Sequence, residues 1–315
     1  MSFNKAIRDI LVCTGLLGVA LNASAYDLPQ LNFGGTSFLD GGPPAGAGLY
    51  IGQYFQYYTG RLKDGSGRPL PLPKQDIDTF ASLTQFLYVS PSKLNDTASW
   101  GINANVPVLL SAHTDDGLNG QALRTKAGLG DVQIGPFVQF DAIMGPNGPR
   151  FMHRFELDVF VPVGEYDRTK AVNPGSNFWS IDPYWAGTLW LTPRWTFSWR
   201  LHYLWNARNS SPSASYGNVQ STQAGQAVHA NFATEYAVTE KLRLGLNGYW
   251  LQQISDTKVN DQDNPGSRER VWALGPGGVY SFSKEDHIFL NAYSEFSVRN
   301  RPKGTRIWAR YVHHF

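Results

Sequence analysis

The sequence predicts an all-β protein, a transmembrane antiparallel β-barrel of about twelve strands, with ten or fourteen strands also compatible with the pattern. Three observations support this fold class. Segments of strand length alternate between apolar and polar residues from Gly48 onward. The connections between these segments alternate between long and short. The last segment, residues 304–315, also alternates, and it stops on the aromatic residue Phe315, as the final strand of outer-membrane barrels does.

Residues 1–25 have the features of a secretory signal peptide. Two basic residues precede an apolar stretch at positions 10–21, and small residues follow at positions 23–25. The apolar stretch is roughly half as long as the 20 residues that a transmembrane helix needs. We therefore predict export, cleavage of this segment, and a mature chain that begins at Tyr26.

Cleavage removes Cys13, the only cysteine, so the exported protein would have no disulfide framework. The chain has 27 basic and 25 acidic residues, and this balance argues against nucleic acid as a partner. The mean hydropathy is -0.30, although the chain has 10 Trp, 15 Tyr and 18 Phe. A barrel explains this combination because its strands present side chains to lipid only at every second residue.

The alternation is clearest in segments 131–140, 154–163 and 194–206. A soluble β-sandwich also alternates, so the lengths of the connections are needed to choose between the two folds. Long extracellular loops and short periplasmic turns are typical of outer-membrane barrels with both termini in the periplasm. The long connections lie near residues 59–76, 111–127, 164–178, 207–223 and 255–268, and the shorter ones near 90–98, 141–150, 192–193, 239–241 and 283–286.

The predicted organisation has three parts, a signal peptide at 1–25, a leader at 26–47 and a barrel at 48–315. The leader contains paired glycines and prolines and shows no strand pattern. Two interpretations remain open for it, a plug inside the barrel lumen and a disordered periplasmic leader, because composition does not separate them.

The inward rows of the predicted strands contain the candidate lumen and substrate residues. Opposed charges would cross-link a narrow lumen and restrict the passage of ions. A structural network of salt bridges and a role in ligand binding both remain open. We expect Glu156 and Asp158 to pair with basic residues such as Arg200. The candidates are Arg154, Glu156, Asp158, Phe160, Asp182, Tyr184, Arg200, His202, His229, Glu235, Tyr249, Arg306 and Arg310.

The sequence predicts no catalytic site, no metal site and no cofactor. His202 and His229 belong to no cluster with the spacing of metal ligands. Outer-membrane phospholipases use a serine with a nearby histidine on the outer wall, and we find no such pair on an outward row. Ser198 and His202 share a strand face, but four residues along a strand separate them by roughly 13 Å, too far for a hydrogen bond.

Prolines inside predicted strands are unexpected, because proline removes a hydrogen-bond donor from the ladder and a closed barrel has no edges. Pro136, Pro183 and Pro276 are candidates for a bulged or parted wall and hence for a lateral opening into the bilayer. Pro107 and Pro162 are equally compatible with positions at strand ends.

Several motifs in the predicted barrel resemble those of a known family. They read GLYIGQYF at 48–55, GLGDVQIGP at 128–136, VPVGEYD at 161–167, NFWSIDPY at 177–184, LGLNGYWLQQ at 244–253 and LGPG at 274–277. With these motifs the sequence resembles the MetA-pathway phenol-degradation family of outer-membrane proteins, over nearly all of the mature chain. The resemblance implies an outer-membrane barrel that admits hydrophobic, often aromatic, molecules, and it implies no particular site residues.

Two functions are compatible with the sequence. The first is an outer-membrane channel or transporter for the uptake of small hydrophobic, aromatic compounds, and the alternative is a structural or adhesive barrel whose long loops bind a partner. Aromatic residues beside polar ones on the inward rows favour uptake, because a small ligand needs a partly apolar pocket. The expected partners are a small hydrophobic substrate, outer-membrane lipid and the barrel-assembly machinery, which would bind the C-terminal strand ending in Phe315.

Overall fold

The computed structural model describes residues 28–42 and 45–315, so the predicted signal peptide at 1–25 lies outside the described residues. Twelve antiparallel strands pair in chain order and close into a barrel, which confirms the predicted fold. Closure is completed by pairing of the last strand with the first. The barrel strands, numbered in chain order, are β1 (Gly48–Leu62), β2 (Asp76–Asn95), β3 (Ala98–Asp115), β4 (Val132–Phe140), β5 (Gly148–Val161), β6 (Ser180–Trp190), β7 (Trp195–Asn206), β8 (Ala227–Ala237), β9 (Leu242–Gln253), β10 (Arg270–Ser281), β11 (Asp286–Arg299) and β12 (Pro302–His314).

The outer surface of the barrel is apolar and the inner surface is largely polar, because successive side chains of a strand point to opposite faces. On β5, Phe155 and Leu157 are exposed on the outside, whereas Glu156 and Asp158 are buried inside. Exposed outward residues on the other strands are also mostly aliphatic or aromatic. This is the surface that a lipid bilayer requires.

The connections alternate in length around the barrel. Short turns lie at the end that carries both barrel termini, which is the periplasmic end in outer-membrane barrels, and long loops lie at the opposite, extracellular end. The last extracellular connection differs from the others, because residues 300–301 form a tight turn that makes β11 and β12 a hairpin. The long loops span residues 63–75, 116–131, 162–179, 207–226 and 254–269.

The extracellular loops contain little regular structure of their own. Residues 222–223, 258–259 and 262–263 form a small three-stranded sheet, and Ala214–Tyr216 forms a 3-10 turn. Within residues 28–42 and 45–315, no helix is both long and apolar enough to cross a membrane.

Residues 28–42, the inner segment, lie inside the barrel against its inward side chains. The Gly34 N–H donates a hydrogen bond to Asn231 Oδ1 on β8 at 2.9 Å, and the Tyr293 hydroxyl on β11 donates to the Gly34 carbonyl oxygen at 2.9 Å. The Trp308 indole N–H on β12 donates to the Phe33 carbonyl oxygen at 2.8 Å. Three different strands therefore hold this part of the chain through its backbone.

Gly34 is one of the residues of the inner segment at which a side chain would not fit. Its φ angle is 74°, in the left-handed region that favours glycine. A Cβ atom at this position would lie 2.5 Å from the ring of Tyr293. The close approach of the backbone to the wall at this point therefore depends on glycine.

Candidate functional site in the barrel lumen

Glu156 is the centre of a buried polar cluster on the inner wall. Asn103 on β3 donates a hydrogen bond to Glu156 Oε1 at 2.8 Å, and the hydroxyl of Tyr184 on β6 donates to Oε2. The Arg154 guanidinium lies 3.5 Å from Oε2 and also covers the ring of Phe137. Strand pairing explains the cluster, because Glu156 and Tyr184 are direct partners across the β5–β6 ladder.

Arg200 on β7 pairs with Asp40 of the inner segment, so the prediction that it pairs with the acidic residues of β5 is wrong. Arg200 Nε lies 2.9 Å from Asp40 Oδ2, and a terminal guanidinium nitrogen lies 2.6 Å from Oδ1. A carboxylate that faces the guanidinium edge accepts two hydrogen bonds at once, and Glu156 is already paired with Arg154. Asp158 has no ion pair among the described residues, and its Oδ1 has no hydrogen-bond partner there.

Asp182, His202 and His229 meet at one level of the lumen. His202 Nδ1 lies 2.9 Å from Asp182 Oδ2, and His229 Nε2 lies 3.2 Å from Asp182 Oδ1. The two imidazole rings stack with their centroids 4.0 Å apart. The donor atoms of the three residues lie within 4.8 Å of one another, so this group has the composition of a metal site. Hydrogen bonds to both carboxylate oxygens account for the observed arrangement without an ion.

Spacing along the sequence did not indicate this cluster. The three residues lie on β6, β7 and β8, and His202 and His229 are direct partners in the β7–β8 ladder. Only the strand register brings them together, so the sequence argument that no histidine belongs to a ligand cluster missed the convergence.

Glu295 on β11 accepts hydrogen bonds from two tyrosines. The hydroxyl of Tyr58 lies 2.9 Å from Oε2, and the hydroxyl of Tyr249 lies 2.6 Å from Oε1. Arg306 on β12 lies 3.8 Å from the same carboxylate, and its guanidinium also covers the ring of Tyr58. The predicted lumen residues Tyr249 and Arg306 thus belong to one polar network.

Glu235 and Arg310 lie in the periplasmic half of the lumen. Glu235 Oε1 accepts hydrogen bonds from Arg243 Nε at 3.0 Å and from the Thr196 hydroxyl at 2.8 Å. The Arg310 guanidinium carbon lies 3.6 Å from the centroid of the Phe289 ring, a cation–π contact, and its Nε has no partner among the described residues. Phe38 of the inner segment packs against Phe289, so the inner segment reaches this level of the lumen.

A cavity of about 260 Å³ lies between the inner segment and the extracellular half of the wall. Six of the predicted lumen residues line it, and the other seven are buried elsewhere in the lumen. The six are Asp158, Phe160, Asp182, Arg200, His202 and Arg306. The seven are Arg154, Glu156, Tyr184, His229, Glu235, Tyr249 and Arg310.

The apolar part of the cavity lining comes largely from outside the strands that the sequence pattern identified. The inner segment supplies Leu28, Leu31 and Phe33, and the loop after β5 supplies Phe178. These residues belong to one buried cluster with Phe160. One sequence signal could have indicated that the leader lies in the lumen. The glycine-rich leader contains apolar residues, and a leader exposed to solvent would not need apolar residues.

Pro136 and Pro183 each interrupt the hydrogen-bonded ladder on one side of their strand. Pro136 pairs with Ile102 of β3, whereas the pairing of β4 with β5 skips Gly135 and Pro136. Pro183 pairs with β5, whereas the pairing of β6 with β7 skips Asp182 and Pro183. Proline has no N–H to donate, so one neighbouring strand loses its partner at each position.

Pro276 produces the same interruption on another side of the barrel. It pairs with Leu246 of β9, and the pairing of β10 with β11 skips Gly275 and Pro276. The prolines Pro136, Pro183 and Pro276 are all exposed on the outer surface.

The remaining two prolines of the predicted strands have different surroundings. Pro107 lies inside β3 beyond the last residue that pairs with β4, and its carbonyl oxygen accepts a hydrogen bond from the Gly130 N–H at 2.8 Å. Pro162 follows the last residue of β5. Neither proline interrupts the pairing of two barrel strands in the way that Pro136, Pro183 and Pro276 do.

The two interruptions beside β5 border the cavity. Asp158 lies opposite the skipped Gly135, and its Oδ1 is 2.2 Å from the point where a Cβ of residue 135 would stand. Asp182 is itself one of the skipped residues at the second interruption. Both aspartates line the cavity, so the cavity and the interrupted part of the wall are adjacent.

Comparison with known proteins places the chain in a family. Residues 59–311 match the family described as "Putative MetA-pathway of phenol degradation". The chain belongs to this family. A comparison with curated protein sequences finds no match.

The solved structures to which this chain is similar include the following two outer-membrane proteins. An outer membrane channel from Pseudomonas putida F1 superposes with a TM-score of 0.75 at 17% identity, and the match covers 91% of this chain and 100% of that one. The translocator domain of the autotransporter NalP from Neisseria meningitidis has a TM-score of 0.49 at 9% identity, covering 99% and 98% of the two chains. The first similarity establishes the fold, and together with the apolar outer surface it identifies this member of the family as a β-barrel of the bacterial outer membrane.

Proposed function

We propose that this protein is an outer-membrane channel for the uptake of small hydrophobic, aromatic compounds. The observation that carries the proposal is the cavity of about 260 Å³ in the lumen, whose lining combines a buried apolar cluster that includes Leu31, Phe33, Phe160 and Phe178 with polar and charged side chains. Sites for small ligands combine apolar surface, which the ligand covers, with polar groups that orient it. An engineered apolar cavity of about 150 Å³ holds benzene, so a one-ring compound fits the space.

Family membership supports the aromatic class of substrate, because the family description refers to phenol degradation. The structural neighbour from Pseudomonas putida is titled an outer membrane channel, which supports passage through the barrel. Hydrophobic compounds cross the lipopolysaccharide leaflet slowly, and a protein wall gives them a route around it.

We further propose that the inner segment acts as a plug. Its contacts with Asn231, Tyr293, Trp308 and Arg200 hold it across the lumen, and a lumen closed in this way would restrict ions and polar solutes. A solute in the cavity above the plug would then need a route that does not lead straight through the barrel axis.

The interrupted ladders at Pro136 and Pro183 supply that route in the proposed mechanism. A hydrophobic solute that leaves sideways into the bilayer keeps its apolar surface out of water, which is worth about 25 cal/mol per Å². Missing ladder bonds make parting of the wall less costly there than elsewhere. Pro276 marks a second candidate position, farther from β5.

The test is an uptake assay in proteoliposomes and in whole cells, with the intact protein and a panel of aromatic compounds, alkanes and fatty acids. We expect accelerated uptake of neutral one-ring aromatics and little acceleration of sugars or amino acids of similar mass. Uptake at the rate of protein-free liposomes across the whole panel would exclude the channel and favour the alternative, an adhesive barrel that acts through its loops.

Two further proposals concern the route of the chain to the membrane. The signal segment would be cleaved so that the mature protein begins at Tyr26, and the barrel-assembly machinery would bind the C-terminal strand. Amino-terminal sequencing of the protein from the outer-membrane fraction tests the first proposal. An intact amino terminus at Met1 would contradict it.

A further inference from the structure

Four basic side chains lie together on the outer surface at the extracellular edge of the barrel. They are Arg270 on β10, Arg299 on β11, Lys303 on β12 and Arg61 on β1, and we call them the basic edge patch. These strands are neighbours in the order β10, β11, β12, β1. The residues beside them in sequence, such as Leu62, Val271 and Val298, are buried on the inner side, so alternation places the basic residues outside.

The patch places like charges directly opposite one another. Arg270 and Arg299 are Cα partners in the β10–β11 ladder, and Arg61 and Lys303 are partners in the β1–β12 ladder. Like charges at directly opposed positions destabilise a sheet unless something compensates them. The arrangement therefore points to an anionic ligand.

Protein groups compensate little of this charge. Arg61 pairs with Asp76 at 2.8 Å, and the Arg270 Nε–H donates to the Ser297 carbonyl oxygen at 3.0 Å. Within residues 28–42 and 45–315, Arg270, Arg299 and Lys303 have no carboxylate at ion-pair distance. The basic edge patch ends at β1, because the next strands, β2 and β3, carry Asp76, Asp78 and Asp115 at outward positions.

An apolar surface lies immediately below the patch. Trp272 and Phe296 are exposed partners in the β10–β11 ladder, two and three residues from Arg270 and Arg299. Ile307 on β12 and Tyr57 on β1 are exposed partners at a lower level of the adjacent ladder. The cations thus stand at the boundary between the apolar band and the extracellular loops, where lipid head groups lie.

We propose that the basic edge patch binds a phosphorylated glycolipid of the outer leaflet. The phosphate groups would contact Arg270, Arg299 and Lys303, and the acyl chains would lie along Trp272 and Phe296. Arginine presents a fork of N–H donors that matches phosphate oxygens. Four adjacent strands at about 4.8 Å spacing span roughly 14 Å, which is wide enough to contact more than one phosphate group. A lipid bound here would stay at a defined position on the outer surface of the barrel.

The test titrates the full-length protein in mild detergent with lipid A, the phosphorylated glycolipid of the outer leaflet, and with the same lipid after removal of its phosphates. Native mass spectrometry measures the bound lipid. We expect tighter binding of the phosphorylated form, and we expect the double variant Arg299→Gln and Lys303→Gln to weaken it roughly tenfold or more. A matched double variant at the periplasmic turns, Lys241→Gln and Lys284→Gln, should bind as the unmodified protein does.

Two results would overturn the proposal. One is equal binding of the phosphorylated and dephosphorylated lipids by the unmodified protein, which is independent of how any variant folds. The other is displacement of lipid A by inorganic phosphate at the same concentration, because the patch would then be a site for free anions and not for a lipid.

Discussion

The carboxylate of Asp40 and the guanidinium of Arg200 form a buried two-point ion pair that joins the inner segment to β7. Both side chains are less than one tenth exposed. The guanidinium also lies 4.4 Å from the centroid of the Tyr184 ring, so Arg200 links the inner segment to the Glu156 cluster through Tyr184. The position of the inner segment is therefore coupled to the charged wall of the lumen.

Replacing Asp40 with Asn should loosen the inner segment and raise ion conductance in planar bilayers. The substitution leaves Arg200 buried without its charged partner, and breaking a buried pair in this way costs about 3–5 kcal/mol. A matched control is Asp256→Asn, which breaks an exposed Asp–Arg pair with Arg268 on an extracellular loop. Equal conductance of the Asp40 variant and the unmodified protein would show that the segment does not control the lumen.

Replacing Pro136 and Pro183 with Val should slow the uptake of hydrophobic compounds and leave any ionic leak unchanged. Each valine restores an N–H that can pair with the neighbouring strand and close the interruption. Pro265→Val in an extracellular loop is the control, because it removes a proline without affecting a barrel ladder. Unchanged uptake in the double variant would exclude the lateral route and favour an axial pore.

Replacing Glu156 with Ala should destabilise the barrel more than replacing Asp158 with Ala. Glu156 accepts hydrogen bonds from Asn103 and Tyr184 and compensates Arg154, so its loss leaves a buried cation unpaired, at a cost of about 3–5 kcal/mol. Asp158 has no ion pair to lose. Both substitutions should raise conductance by removing bulk and charge from the lumen. Urea titration followed by the mobility of the unboiled protein in gels measures the stability, and the reverse order of stabilities would contradict the assignment.

The loop after β3 should lose its structure at low pH through Asp116. Burial raises the pKa of this carboxyl, but backbone N–H groups of Leu123, Leu118, Ala122 and Gly120 bond to the carboxylate, and the net effect is a pKa below the usual range. A lowered pKa in the folded state means that the stabilisation is present above the unfolded value of about 3.9 and is lost as the pH falls through the folded value. The hydrogen-exchange rates of these four amides, measured as a function of pH, report the stability of the loop. The substitution Asp116→Asn should abolish the pH dependence of these rates.

Deleting Phe315 should lower the yield of folded barrel in the outer membrane. The Phe315 N–H donates a hydrogen bond to the Leu49 carbonyl oxygen at 2.9 Å, so the residue completes the closure of β12 on β1, and its aromatic side chain is exposed. Pulse-chase measurement of the fast-migrating unboiled form follows assembly. Phe315→Tyr keeps an aromatic terminus and should assemble normally, whereas normal assembly of the deletion would contradict a role for this residue.

The sequence by itself determined the barrel and indicated about twelve strands. A bilayer accepts a closed sheet only if every second side chain is apolar, and the loops of such a barrel must alternate between two aqueous compartments. Both requirements are local and periodic, so they can be read along β5 or β7 without knowledge of any partner strand. The same alternation indicated that Glu156, Asp182 and Arg200 lie on inward rows.

Only the tertiary structure decided which groups meet inside. Strand register brings Asp182, His202 and His229 into contact. Arg200 pairs with Asp40 because the inner segment lies in the lumen. Phe178, which lines the cavity, comes from a loop. The strand register also decides which neighbouring strand loses its hydrogen bond at each proline. These relationships connect residues far apart in the chain, and no periodic pattern encodes them, because their geometry exists only once the barrel has closed.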